Sequence, residues 1–402
     1  TRKLDIGDFV SVAGKVFTTQ SGEVTVEAKQ MTLLSKSLRP LPDTWYGLKD
    51  AEERYRKRYI DILLNPEVKQ KIIVRTRIVQ KIREFLLNQN FIEVETPILE
   101  TTASGALAKP FKTHINAYDM DLYLRICMGE LWQKKLMVAG FEKTFEISRA
   151  FRNEGVDREH NPEFTMLEYY WGYADYQMNM DMQEQLVAFV IKEVLGSYKV
   201  TVGENEIDFT PPYPRKRFRD LILEKTQIDI DAYGTLEELQ RAIGAYGLKV
   251  DPAWGRGHLV DEFYKAYVRP TLIQPVFLTH HPKDLKPLAK EDPDFPGYTQ
   301  SFQLLANGFE ISNNYSELND PIDQAERFKK QQELQAGGDT ETMASDDEFV
   351  EALEYGMPPV SGTGIGIDRF VALLTNSHHI REVITFPLMK PVGKDLALKK
   401  AI

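Results

Sequence analysis

The chain has 402 residues, 27% of them charged and 42% hydrophobic, with 50 Lys+Arg against 60 Asp+Glu. This length points to two or three domains with a sizeable core, and a net charge of −10 excludes general attraction to nucleic acid. An RNA partner therefore needs a local basic patch. No apolar run is long enough for a membrane span, and none follows Thr1-Arg2-Lys3-Leu4-Asp5 to read as a secretory signal. A single cysteine, Cys127, excludes an intrachain disulfide and a multi-thiolate zinc site, and it fits a reducing, cytoplasmic setting. The start at Thr1 rather than Met sets an expectation of processing or truncation.

The first 37 residues read as strands. Val10 and Val12 alternate with polar neighbours, as do Val24, Val26 and Ala28 after a Gln20-Ser21-Gly22 turn. Two or three strands cannot close a barrel, so this segment is expected to be the end of a larger β domain. Arg39-Pro40-Leu41-Pro42-Asp43 reads as a stiff linker. Residues 49 to 64 carry helical periodicity with Arg54, Arg56, Lys57 and Arg58. These cations suit phosphate and, equally, a solvated face paired with Glu52 and Glu53.

A helix is predicted over residues 69 to 90, where Val74, Ile78, Ile82, Phe85 and Leu86 form one apolar stripe, either core or subunit interface. Residues 91 to 97 then switch to period two and stop at Pro97, as an edge strand does. Helical patterns recur at 180–195, 236–245 and 260–268, and the polar run 331–347 is expected to be a mobile loop or helix linker. The order of elements predicts an α+β fold rather than alternating βαβ units.

Three stretches could carry chemistry. Residues 145–170 read as strand, polar loop, strand; period two places Arg152 and Glu154 on one face of the first strand. Phe164, Glu168 and Tyr170 share a face of the second, with His160 and Asn161 in the loop. A surface hairpin with cross-strand ion pairs accounts for the same composition equally well. In Ser361-Gly362-Thr363-Gly364-Ile365-Gly366-Ile367-Asp368-Arg369, alternating glycines leave one strand face flat, a floor for a planar ring or for close helix packing. This is neither the dinucleotide fingerprint nor a phosphate loop, and Arg369 at the start of the following helix could stack on a ring or reach phosphate. In residues 308–318, Glu310 is a candidate oxygen ligand for Mg²⁺, and Asn313, Tyr315 and Glu317 alternate onto one face. The pairs His280-His281 and His378-His379 lack further ligand spacing for zinc.

In order, these stretches resemble the three signature motifs of class II aminoacyl-tRNA synthetases: the helix ending at Pro97, Phe151-Arg152-Asn153-Glu154, and Gly362 to Arg369. Within the class the chain resembles the lysyl-tRNA synthetase family, through FRNEG…HNPEFTMLEYY, FEISNNYSELND and GTGIGIDRF…LLTNSHHIREVITFP. The class I strings HIGH and KMSKS are absent. The resemblance implies a class II antiparallel sheet flanked by helices, preceded by a partial OB-fold barrel. It divides the chain into 1–37, the C-terminal part of an anticodon-binding OB-fold; 38–66, a linker and basic helix; and 67–402, the catalytic domain with a mainly helical insertion around 215–275.

By resemblance the substrates are L-lysine, ATP and tRNA(Lys), with Mg²⁺ as cofactor and a homodimer through residues 69–97. Arg152 and Arg369 are implied as catalytic. Arg152 would clamp the α-phosphate, Glu154, His160 and Asn161 hold adenine and phosphates, and Phe164 and Arg369 sandwich adenine above the floor that includes Gly366. Glu310 would bind the metal. Glu130 and Glu317 would face the substrate ε-ammonium and Glu168 its α-amino group, with Gly105, Tyr170, Asn313 and Tyr315 completing the pocket. Departures from the family pattern are Gln303 in place of a second metal-binding Glu, Met128-Gly129-Glu130-Leu131-Trp132, Lys286 before Pro287, and Ser104-Gly105-Ala106. Two other readings stand beside the ligase: a paralogue that lysylates a protein, and a catalytically silent RNA-binding or regulatory module.

Overall fold

The computed structural model describes residues 4–42, 48, 50–102, 104–106, 108–336 and 343–391. They fall into two compact units, one up to residue 70 together with the segment from residue 389, the other spanning Lys71–Leu388.

In the first unit, Phe9–Thr18 and Val24–Ser35 pair antiparallel, closed by Thr19 N donating to Glu23 O at 2.9 Å. Both faces of this ribbon are exposed, Phe9, Val10, Val12, Phe17 and Val24 among them. The linker is irregular through Pro42, and Asp43 lies outside the described residues. The single helix expected over 49 to 64 is instead two, Ala51–Arg56 and Arg58–Leu64, broken at Lys57. Its cations are paired: Arg56 with Glu52 at 2.6 Å, Lys57 with Glu53 at 2.8 Å, and Arg54 and Arg58 both with buried Asp61 at 2.8 Å. The geometry favours the ion-paired reading of this segment.

The second unit is built on an eight-stranded sheet. From one edge to the other its strands are Arg215–Arg217, Val276–Thr279, Ser301–Ala306, Phe309–Ser316, Val360–Gly366, Glu163–Gly172, Lys143–Phe151 and Ile92–Glu93. The six central strands are antiparallel, whereas both outermost pairings are parallel. The sheet is therefore mixed, because short segments returning from helical excursions dock at its edges. The predicted strand over 91 to 97 shortens to Ile92–Glu93, at the edge as Pro97 requires.

The first long helix runs Pro66–Asn88, with Ile78, Ile82 and Leu86 in the core and Val74 and Phe85 packed against it. The stripe is thus core on this unit's own evidence. Arg75 reaches Asp368 and donates to Thr165 Oγ1 at 2.8 Å, while Thr165 N donates to Asp368 Oδ2 at 2.8 Å. These bonds tie the start of the helix Ile367–Leu374, and so Arg369, to the neighbouring strand. On the same side, Tyr176–Leu195 is capped by Asp175, which accepts from Gln177 N and Met178 N at 2.9 Å. Its Asn179 accepts from Tyr169 OH at 2.6 Å and donates to Ser361 Oγ and Thr363 Oγ1 at 2.8 Å, fixing two central strands to each other.

Between Arg215–Arg217 and Val276–Thr279 lie the helices Phe218–Thr226, Leu236–Tyr246 and Arg256–Tyr267 with an apolar core of their own around Phe218, Leu239, Leu259 and Phe263. The polar run 331–347 is not wholly loop: residues up to 336 end the helix Pro321–Ala336, and Asp347 opens Asp347–Glu354. Residues 337–342 lie outside the described residues.

Candidate active site

A face of the central strands, together with residues of flanking helices, lines a cavity of about 670 Å³. The strand Lys143–Phe151 stops one residue before Arg152, so Arg152 and Glu154 stand in the loop rather than on a strand face. Arg152 still receives a last rung, its N donating to Pro162 O at 2.9 Å. Its Nε donates to Ile126 O at 3.2 Å, and the guanidinium lies 5.2 Å from the Phe164 ring centroid. Burial, and then the neighbouring Arg369 charge, lower its pKa, yet a guanidinium stays protonated at neutral pH. No carboxylate pairs with it among the described residues. The second strand behaves as period two requires, turning Phe164, Met166, Glu168 and Tyr170 into the cavity.

At one end three acids meet. Glu168 accepts from Met128 N at 3.0 Å and from Tyr170 OH at 3.2 Å. Glu130, first residue of the helix Glu130–Val138, accepts from Tyr315 OH at 2.5 Å and from Lys134 Nζ at 2.8 Å, both on Oε1. Lys134 Nζ also lies 2.6 Å from Glu317 Oε2. Burial raises the pKa of both Glu168 and Glu317; Glu130 adds to the rise in each, while Lys134 opposes it in Glu317. Lys134 itself is fully buried, and the two carboxylates overcome that burial to raise its pKa.

Two glycines make this end possible. Gly129 has φ +65°, and a Cβ there would sit 2.1 Å from Thr96 Oγ1, so the unusual residue before Glu130 has a steric reason. A Cβ on Gly362 would fall 2.1 Å from Glu317 Oε1 and 2.6 Å from Tyr170 Cε1. The expectation of a flat glycine floor along the whole strand is thus corrected: Gly362 gives its space to the acid pocket. At Gly364 and Gly366 nothing comes closer than 3.4 Å to a Cβ position, and the open shelf lies there.

The other end is cationic. Arg369, in the first turn of Ile367–Leu374 as expected, donates to His160 Nε2 at 3.0 Å. That bond assigns the His160 proton to Nδ1, which faces Asp157 at 2.8 Å. Glu154 accepts from Lys109 N at 3.1 Å, and Asn161 Oδ1 is buried without a partner among the described residues. Glu310 faces the cavity through a bulge: Leu304 pairs with Ser312 but Leu305 with Glu310, so one extra residue reverses the alternation. Glu310 therefore shares a face with Asn313, Tyr315 and the residue just past the strand, Glu317. Burial opposes its charge, but Arg369, Lys286, Arg269 and Lys265 together hold its pKa below the ordinary value. No hydrogen bond or ion pair takes up its carboxylate among the described residues. Asn313 Oδ1 accepts from Lys286 Nζ at 2.5 Å, and Gln303 Oε1 faces His281 Nε2 at 3.1 Å.

The cavity brings together every site residue expected from sequence: Gly105, Glu130, Arg152, Glu154, His160, Asn161, Phe164, Glu168, Tyr170, Glu310, Asn313, Tyr315, Glu317, Gly366 and Arg369. Unforeseen in the wall are Asp261, Lys265, Arg269, His281 and Lys286, and behind it Lys134. The i, i+4 spacing of Glu130 and Lys134 was the available signal for the last.

The profile of tRNA synthetases class II (D, K and N) matches residues 50–390. A lysine–tRNA ligase of Moorella thermoacetica is 51% identical over 97% of this chain and 80% of the relative. Those of Pelotomaculum thermopropionicum and Syntrophomonas wolfei are 50% and 48% identical, again over 97% of this chain, with 77% and 79% of the relatives covered. The chain belongs to the lysine–tRNA ligase family of class II tRNA synthetases. The two ends of the cavity differ in charge, with acids gathered at one and cations at the other. No helix among the described residues is long and apolar enough to cross a membrane.

Proposed function

We propose that this cavity activates L-lysine with ATP and passes the lysyl group to the 3′ end of tRNA(Lys). The lysine carboxylate is already ionised at neutral pH, so its attack on the α-phosphorus needs no general base. A new P–O bond forms as the bond to the β-phosphate breaks, and pyrophosphate leaves. The chain's task is positioning and relief of developing charge. Arg152, half-buried and without an ion-pair partner among the described residues, holds the α-phosphate and the attacking carboxylate. Arg369 and Phe164 take the adenine above Gly364 and Gly366, with Glu154, His160 and Asn161 around the base and phosphates.

Glu310 fits one magnesium ion, since it is an ionised carboxylate facing the cavity with no protein partner. Bound there, Mg²⁺ would supply charge neutralisation on the phosphates. Gln303, a neutral amide engaged by His281, adds no second carboxylate.

Lysine selection falls to Glu130 and Glu317 for the ε-ammonium and Glu168 for the α-ammonium. At an effective dielectric of about 20, one such pair ~4 Å apart is worth roughly 4 kcal/mol before desolvation. The reading is carried by Glu130, Glu168 and Glu317 sharing one cavity with Arg152 and Arg369. An anticodon role for residues 1–37 as part of an OB-fold, the remaining divisions at 38–66 and 67–402, a homodimer through residues 69–97 and a cytoplasmic setting belong to the same proposal and rest on family membership. ATP–pyrophosphate exchange with each of the twenty amino acids tests it. Exchange should depend on lysine; exchange driven by another amino acid, or by none, overturns it.

A further inference from the structure

Lys134 pairs with the same two acids, Glu130 and Glu317, that the proposed function assigns to the substrate's side chain. Its ammonium is fully buried, 2.8 Å from Glu130 Oε1 and 2.6 Å from Glu317 Oε2, and 5.7 and 5.6 Å from the ring centroids of Tyr315 and Phe349. It is the same chemical group as the ligand. It takes one oxygen of each acid and leaves the others: Glu317 Oε1 is buried, unpartnered and set against Gly362.

We propose that Lys134 is the resident counter-ion of the amine pocket, a positioning residue that engages one oxygen each of Glu130 and Glu317 and directs their second oxygens to the substrate ε-ammonium. This rests on the assignment of Glu130 and Glu317 to that ammonium. The charge count supports it. Glu130, Glu168, Glu317 and the substrate carboxylate bring four negative charges; Lys134, Arg152 and the two substrate ammonium groups bring four positive ones. With lysine bound and all of these groups charged the pocket is neutral, and without Lys134 it carries one uncompensated negative charge in a buried space.

Among the other titratable groups facing this cluster, the cation Lys286 also acts on Glu130 but donates to Asn313 Oδ1 at 2.5 Å rather than to an acid. Tyr170 and Tyr315, on the two flanking strands, and Cys127, before the helix, are all held protonated by burial and by the surrounding carboxylates. Arg152 is reserved for the substrate carboxylate.

Isothermal titration of the full chain with L-lysine near pH 7 tests this. Lys134→Met should raise the lysine Kd at least tenfold while ATP binding stays within about twofold. Lys134→Gln keeps a hydrogen-bond donor without the charge and should show the same loss, so it decides the matter where the Met variant does not fold, and Lys134→Arg, which keeps the charge, should recover most of the affinity. A lysine Kd within about twofold of the unaltered protein in the Met and Gln variants, or an Arg variant no better than Gln, overturns the role of Lys134. Glu317→Gln separates this from the assignment beneath it: an unchanged lysine Kd there overturns the amine-pocket reading itself, whereas a large loss in Glu317→Gln with an unchanged Kd in the Lys134 variants overturns the counter-ion alone.

Discussion

The two ends of the cavity treat charge in opposite ways. At the amine end each acid already has a protein partner: Lys134 as an ion pair for Glu130 and Glu317, Tyr315 for Glu130, and Met128 N with Tyr170 for Glu168. At the nucleotide end Arg152, Arg369, Lys286 and Glu310 have no opposite-charge partner within ion-pairing distance among the described residues. A small cationic side chain must be chosen against near neighbours, and a pocket whose oxygens are already oriented rejects what cannot complete the set. A triphosphate brings several charges of its own, so on the proposed function this end holds groups in reserve for the ligand and the developing transition-state charge.

The contrast is broken most severely by Arg152→Ala. Removing an unpaired guanidinium should lower lysine-dependent pyrophosphate exchange by about 10³-fold while leaving the lysine Kd within a few fold. An equal loss in lysine binding would mean that the ends are not separable. Gly362→Ala attacks the amine end by sterics alone. Its methyl overlaps Glu317 Oε1 and the Tyr170 ring, so lysine KM should rise about tenfold and stability fall by roughly 1–3 kcal/mol. The KM for ATP should hold in the same assays.

Glu310→Gln sharpens the other side. The Mg²⁺ concentration for half-maximal exchange should increase roughly tenfold with no change in lysine affinity. Direct Mn²⁺ binding, followed by its paramagnetic signal in the presence of a non-hydrolysable ATP analogue, should weaken in parallel.

The smallest effect is a pH dependence. Burial lowers the Lys286 pKa, so its ammonium is lost as pH rises through that lowered value, earlier than for an ordinary lysine. ATP KM should therefore climb a few fold on the alkaline side. Lys286→Met should flatten that limb, and an unchanged limb in the variant would remove Lys286 from the nucleotide end.

Much of this site was legible because polar residues in a strand can be sorted by parity. Phe164, Glu168 and Tyr170 share a face as alternation demands, as do Asn313 and Tyr315. Parity failed at Glu310, which differs from Asn313 by an odd number of residues and reaches the cavity through a bulge with no marker in its own sequence. It failed again at Arg152 and Glu154, where the strand ends early, and at Gly362, whose open face is filled by Glu317 from the adjacent strand. Lys134 went unnoticed because a lysine one turn after a glutamate reads as an ordinary surface pair, whereas here both are buried.

The order of residues by itself determined the α+β class, the family and the inventory of acids and arginines, because periodicity and motif strings are local properties that survive without coordinates. Only the tertiary structure decided how those charges are shared. Pairing energies depend on distance and burial between segments nearly two hundred residues apart, as between Lys134 and Glu317, and no one-dimensional pattern contains them.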